Sequence, residues 1–195
     1  MVRWWVAAFV LLLLARQPAQ ADAALELVAA ARSQVGVTLI YDSGYQKLAY
    51  PLGVVPIERG VCTDVVIRAF RGQGIDLQAL VHEDMKRNFK AYPQSWGLAR
   101  PDANIDHRRV PNLATYFKRR GMALEPTDYL AGDIVTWVLP GNLPHIGIVS
   151  DRIAPSGRPL IIHNIGGGAA EEDMLIAYPI TGHFRWFPGE AAAAQ

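Results

Sequence analysis

The spacing of apolar residues changes period midway along the chain. From Leu25 to Val35, from Val65 to Phe70 and from Leu77 to about Phe89 they recur at helical intervals. From Ile134 onward they come in short runs rich in β-branched residues: Ile134 to Leu139, Ile146 to Val149 and Leu160 to Ile162, parted by Gly and Pro. Helices first and a strand meander afterwards restrict the chain to an α+β layout, with N-terminal helices packed on a small antiparallel sheet. Asp173 to Tyr178 and Gly182 to Phe187 are candidate further strands.

Punctuation between these runs sets the expected boundaries. Gly36 ends the first helix, Gly72 and Gly74 the second, and Tyr92-Pro93 the third. Asp76 is placed to cap the third helix, and Asn112 a short fourth that Gly121 ends. Tyr41 to Tyr45 reads as a turn and residues 93–111 as a long ordered loop.

The first 21 residues stand apart. Met1-Val2-Arg3 gives a basic start and Trp4 to Ala15 an apolar stretch too short to span a bilayer. Ala19-Gln20-Ala21 then supplies a small-x-small cleavage pattern. The expectation is a cleavable signal peptide, cut after Ala21, that delivers residues 22–195 as one domain to the periplasm or the medium. No membrane anchor is expected after cleavage. Cleavage removes Arg3 and Arg16, leaving 17 basic against 18 acidic residues, a balance that argues against a nucleic-acid partner. A monomer is expected.

Cys62 is the single cysteine of the chain, directly before the apolar run that reads as the first turn of the second helix. Backbone N–H groups at a helix start stabilise negative charge, so a thiol there is expected to ionise below its reference pKa of about 8.5. An unpaired cysteine in an oxidising compartment is exposed to mixed disulfides, so keeping one suggests use as a nucleophile. A buried core cysteine is the alternative.

A nucleophilic thiol needs a base. His145 begins a hydrophobic strand in Leu143-Pro144-His145-Ile146-Gly147-Ile148, and His163 ends the next in Leu160-Ile161-Ile162-His163-Asn164. An antiparallel pair of such strands can bring the two imidazoles together, the second fixing the tautomer of the first. Asn164 is the rival for that role; alternation puts 163 and 164 on opposite faces, so only one can meet His145. A turn histidine satisfied by the backbone is the plainer reading of either. His82 and His107 read as surface or loop histidines, His183 as core, and Glu171, Glu172 and Asp173 as a solvated turn. Asp64 reads as structural, in the first turn of its helix. Arg108 and Arg109 can clamp carboxylates bidentately, or pair with Asp102 and Asp106 to pin the long loop.

A cysteine leading a helix, then Gly132-Asp133-Ile134-Val135, His-Ile-Gly-Ile and Ile-Ile-His, resembles the order in NlpC-type cysteine peptidases. More narrowly, VCTDVVIRAF, NIDHRRVPNL and GDIVTWVLPGNLPHIGIVSD resemble the bacterial domain-of-unknown-function family typified by YijF. The resemblance implies a papain-like fold and a Cys62, His145, His163 triad that needs no metal or cofactor. It further implies Tyr41 as an oxyanion donor beside the Cys62 N–H, and a peptidoglycan stem peptide as substrate. Where the peptidases carry Asp-Cys-Ser-Gly, this chain has Val61-Cys62-Thr63-Asp64. Three other readings stay open: an acyltransferase or thioesterase with the same triad, a non-catalytic cell-wall binding module, and zinc held by Cys62, His145 and His163.

Overall fold

The computed structural model describes residues 20–186. All but the last two residues of the expected signal peptide, and the tail from Glu190, lie outside them. Among the described residues no helix is long and apolar enough to cross a membrane.

The chain enters as helix α1, residues 20–32, whose inner face buries Leu27, Val28 and Ala31. A short parallel pair, β1 (Ile40–Tyr41) and β2 (Arg59–Gly60), brackets the loop that leads to α2 (Cys62–Gly72). The Val65-Val66-Ile67 run with Ala69 and Phe70 is buried, which fixes the helix as a core element. Burying each such aliphatic side chain stabilises the fold by about 1.5–3 kcal/mol. Helix α3 (Leu77–Asn88) starts as expected, with the Asp76 carboxylate accepting from the Gln78 N–H at 3.2 Å. It tightens into a single 3-10 turn over Phe89–Ala91 before Pro93.

The expected 93–111 loop contains a 3-10 turn at Asp106–Arg108 and gives way to α4 (Val110–Arg119) three residues earlier than Asn112 capping allows. Pro111, fitted to a first helical turn, sets that start. Asn112 lies inside the helix and donates to the Asp106 carbonyl at 3.1 Å.

Six antiparallel strands follow: β3 (Ala123–Leu124), β4 (Ile134–Leu139), β5 (Leu143–Ile153), β6 (Pro159–Asn164), β7 (Ala169–Glu172) and β8 (Ile180–Phe184). Their spatial order is β3-β8-β4-β5-β6-β7. The α+β layout is thus realised. The strand expected over Asp173 to Tyr178 is not formed. After Gly166-Gly167-Gly168 the chain turns back at once, so Ala169–Glu172 pairs with β6. Residues 173–178 instead lie over the rear of the sheet, burying Met174 and Leu175 with Trp137, whose indole N–H donates to the Leu175 carbonyl at 2.9 Å.

Alternation sorts the sheet into two apolar faces. Ile134, Ile146, Ile148, Ile162 and Phe184 meet the helices, while Val135, Trp137, Val149 and Ile161 form the rear layer. At the head of β4, buried Asp133 meets His183 Nε2 at 2.7 Å and accepts from Arg185 Nε at 2.6 Å and the Leu130 N–H at 2.8 Å. This cluster explains the Gly-Asp before the strand as an anchor.

Candidate active site

Cys62 is the first residue of α2, and Val61 before it is extended at φ −116° and ψ −176°. Valine has no side-chain acceptor to cap the helix. Asp64 reaches back instead, its Oδ2 accepting from the Val61 N–H at 2.7 Å. Gly60 makes room for that carboxylate, since a Cβ there would lie 2.9 Å from the Asp64 Cβ. The same carboxylate takes both limbs of the Arg108 fork at 3.0 Å, and Arg108 also donates to the carbonyls of Asp42 and Gly44 at 3.0 Å.

Cys62 is buried, with 4% of the residue exposed. Burial pushes the thiol up to about 12 with help from the Asp64 charge, against N–H groups of Ile146, Thr63 and Cys62 that pull it down. The expected lowering at a helix start is therefore reversed. Desolvation disfavours the thiolate more than the few N–H dipoles favour it. The resting thiol is neutral.

The Ile146 N–H that reaches the sulfur belongs to the peptide following His145. His145 itself points to the rear layer, its ring centroid 5.9 Å from that of Trp137. His163 stands on the same face of β6, diagonal to it across Gly147. A Cβ on Gly147 would come 2.7 Å from Ile161 Cγ2 and 3.1 Å from His163 Cβ. Glycine in the His-Ile-Gly-Ile run thus opens the path along which His163 Nδ1 meets His145 Nε2 at 3.0 Å, with the rings nearly perpendicular at 86°. Burial, then the neighbouring His163, holds His145 down at about 3, so it is a neutral imidazole. Among the described residues no hydrogen bond joins Cys62 to His145, and His145 Nδ1 has no hydrogen-bond partner.

Asn164 faces the other way, as alternation requires. It donates to the Gly60 carbonyl at 3.1 Å and accepts from the Gly166 N–H at 3.1 Å, tying β6 to the entry of α2. The side chain that meets His145 is His163. Cys62, His145 and His163 do not converge as a zinc ligand set; among the described residues no group of three His, Cys, Asp or Glu side chains is arranged to hold a metal ion.

A cavity of about 190 Å³ opens over Cys62, lined in part by Tyr41, Ser43, Trp96, Arg109 and Pro144. Tyr41 is half-exposed there, its hydroxyl held protonated by burial and by the nearby Cys62. Arg108 lines the same cavity, but its donors are taken by Asp64 and two carbonyls, so it is a brace and not a substrate clamp. Its partner is Asp64, not the Asp102 and Asp106 of the same loop. Arg109 does pair with Asp106, at a loose 3.4 Å, and lies 4.2 Å over the Trp96 ring.

The other histidines divide. His107 is buried, not a surface residue; burial holds it down at about 4 and its Nδ1 has no partner. His82 meets the Tyr50 ring edge-on at 5.1 Å. His183 is bound to Asp133, as described above. The acidic run is no solvated turn either. Glu171 is engaged by Arg32 and Ser150, and Glu172 Oε2 lies 3.1 Å from His163 Nε2. Sequence reading misses Glu172 because the strand it expects there begins only at Asp173, after the β7 strand has ended.

Residues 28–186 match the family model DUF1287, described as a domain of unknown function. The uncharacterized protein YijF of Escherichia coli (strain K12) is 58% identical over 172 residues, covering 86% of this chain and 84% of that protein. Among solved structures, NlpC1 from Trichomonas vaginalis is similar at a TM-score of 0.49 and 14% identity, over 84% of this chain. This chain spans less than half of that one, 44% of its length.

Proposed function

The chain belongs to the DUF1287 family, and from that premise we propose that it is an exported cysteine amidohydrolase acting on peptide bonds of cell-wall stem peptides. The observation that carries this reading is the imidazole pair, His145 Nε2 to His163 Nδ1 at 3.0 Å, one peptide from the hydrogen-bonded thiol of a helix-leading cysteine.

Substrate binding in the cavity over Cys62 brings an amide carbonyl to the sulfur. On substrate binding the His145 ring, which in the structure packs against Trp137 with no bond to the sulfur, closes on Cys62 and takes the thiol proton on Nδ1, the nitrogen His163 does not occupy, as sulfur forms its bond to carbon. The oxyanion is held by the N–H groups at the start of α2 and by the Tyr41 hydroxyl. Collapse breaks the C–N bond, and the imidazolium returns its proton to the leaving amine. Water, deprotonated by His145, then releases the acid from the thioester and restores the thiol. Transfer begins from a neutral pair, since burial disfavours both charges at rest. Arg109, on the cavity wall with a loose internal partner, supplies recognition for a free carboxylate of the stem peptide.

One observation favours a second reading. A buried neutral thiol without a bond to His145 also suits a wall-binding module that has no turnover. Incubating wild type and Cys62→Ala with cell-wall fragments separates the two by mass spectrometry of the products. New fragments from wild type alone are expected. Identical profiles, with both proteins sedimenting with the wall polymer, would replace the hydrolase by the binding module.

A further inference from the structure

The histidine pair does not end at His163. In the β6–β7 ladder Ile161 lies opposite Glu172 and Ile162 opposite Glu171, so the two consecutive carboxylates leave on opposite faces. Glu171 goes to the helix side, where Arg32 and Ser150 take it. Glu172 goes to the rear side with His163, and its Oε2 stands 3.1 Å from His163 Nε2. The row therefore reads His145, His163, Glu172 across three adjacent strands.

Proton accounting along this row has one solution. An ionised carboxylate only accepts, so His163 carries its proton on Nε2 and donates to Glu172. A neutral His163 then has a lone pair on Nδ1, and must accept from His145 Nε2–H. His145 is left with its lone pair on Nδ1, the atom that has to receive the thiol proton. Burial pushes both rings below their ordinary values, which keeps them neutral as this accounting requires. Without an acceptor at the far end, two neutral imidazoles can share their proton in either sense. In the reverse sense His145 Nδ1 is protonated and cannot act as a base.

We propose that Glu172 is a positioning residue of the Cys62 site, its carboxylate fixing the tautomers of His163 and His145 so that the basic nitrogen is His145 Nδ1. The role as a base rests on the hydrolase reading above; the tautomer assignment does not. Glu172 itself is 55% exposed on its side chain, so water weakens its charge and the fixing of direction outweighs electrostatic stabilisation. Facing the pair from the neighbouring strand β4 is the uncharged Trp137 ring.

Imidazole nitrogen NMR on ¹⁵N-labelled full chain tests this at about pH 7.5, above the ordinary histidine pKa. In wild type, unprotonated Nδ1 signals are expected for both His145 and His163. Glu172→Leu should turn both rings into mixtures, with about half of each in the other tautomer, while the backbone spectrum away from β6 and β7 stays unchanged. Glu172→Gln keeps an acceptor oxygen and should restore the wild-type tautomers. Against cell-wall fragments, Glu172→Leu should lower kcat about 3- to 10-fold, from the lost tautomer and the lost carboxylate together, with KM unchanged. A protonated Nδ1 on either ring in wild type, or tautomers unmoved in Glu172→Leu, would overturn the proposal. Should wild type show no turnover, the hydrolase reading falls, while the nitrogen spectra still decide the role of Glu172.

Discussion

Replacing Arg108 by methionine tests what holds the first turn of helix α2, which Cys62 leads. Methionine fills much of the same space but leaves the Asp64 carboxylate, 4% exposed, without its cation. Both limbs of the fork are 3.0 Å long, and two loop carbonyls lose donors at the same time. Stranding one member of a buried ion pair costs about 3–5 kcal/mol. The carbonyls of Asp42 and Gly44 regain water in part, so the expected loss is about 4 kcal/mol. At about 2–4 °C per kcal/mol for a domain of this size, Tm should fall by about 8–16 °C.

Urea and thermal unfolding of wild type, Arg108→Met, Asp64→Asn and the double variant form the cycle. The Asp64→Asn change keeps an amide oxygen for the Val61 N–H and one limb of the Arg108 fork, but sets an amide donor against Arg108 Nε. That single substitution therefore removes the charge and one hydrogen bond together. The double variant strands neither charge and should be about 2 kcal/mol more stable than the summed single effects predict. A loss below about 1 kcal/mol in Arg108→Met, or strict additivity in the cycle, would refute the argument that this pair fixes the helix start.

Two further outcomes follow from the same geometry. Because the folded chain holds Cys62 up at about 12, the resulting stability is fully present below the ordinary thiol pKa and is lost as pH rises toward 12. Urea unfolding should show wild type losing about 1.4 kcal/mol relative to Cys62→Ala between about pH 8 and pH 10; a flat difference would mean the thiol is not desolvated. Gly147→Ala places a methyl 2.7 Å from Ile161 Cγ2 and 3.1 Å from His163 Cβ. It should cost about 1–3 kcal/mol and separate the two imidazoles, seen as loss of their shared proton signal by NMR; an intact signal would show that the strands move apart without disturbing the pair.

The elements are legible wherever one physical pattern governs them. Helical spacing locates α2 and α3, and β-branched runs locate β4, β5 and β6, because in each the buried face sets the residue types. Strict strand alternation is enough to state that only one of His163 and Asn164 can meet His145. What escapes depends on partners distant in the chain. Nothing local to Arg108 marks Asp64, 44 positions away, as its mate, and loop neighbours Asp102 and Asp106 compete for it on paper. The reversed ionisation of Cys62 follows from what packs over the helix start, which spacing cannot weigh against N–H dipoles. The strand over Ala169–Glu172 is hidden by its composition: two alanines and two glutamates lack the β-branched signature, and the ladder to β6 supplies what propensity does not.

The two halves of the site differ in how far the chain must travel to make them. His145 and His163 are 18 positions apart, across a single strand connection, whereas the Asn164 bond to the Gly60 carbonyl that seats the entry of α2 closes 104. Loop-closure entropy grows with the logarithm of that separation, so the longer closure costs about 1.6 kcal/mol more. The imidazole pair is a property of a hairpin; the seating of the sulfur beside it is a property of the whole topology.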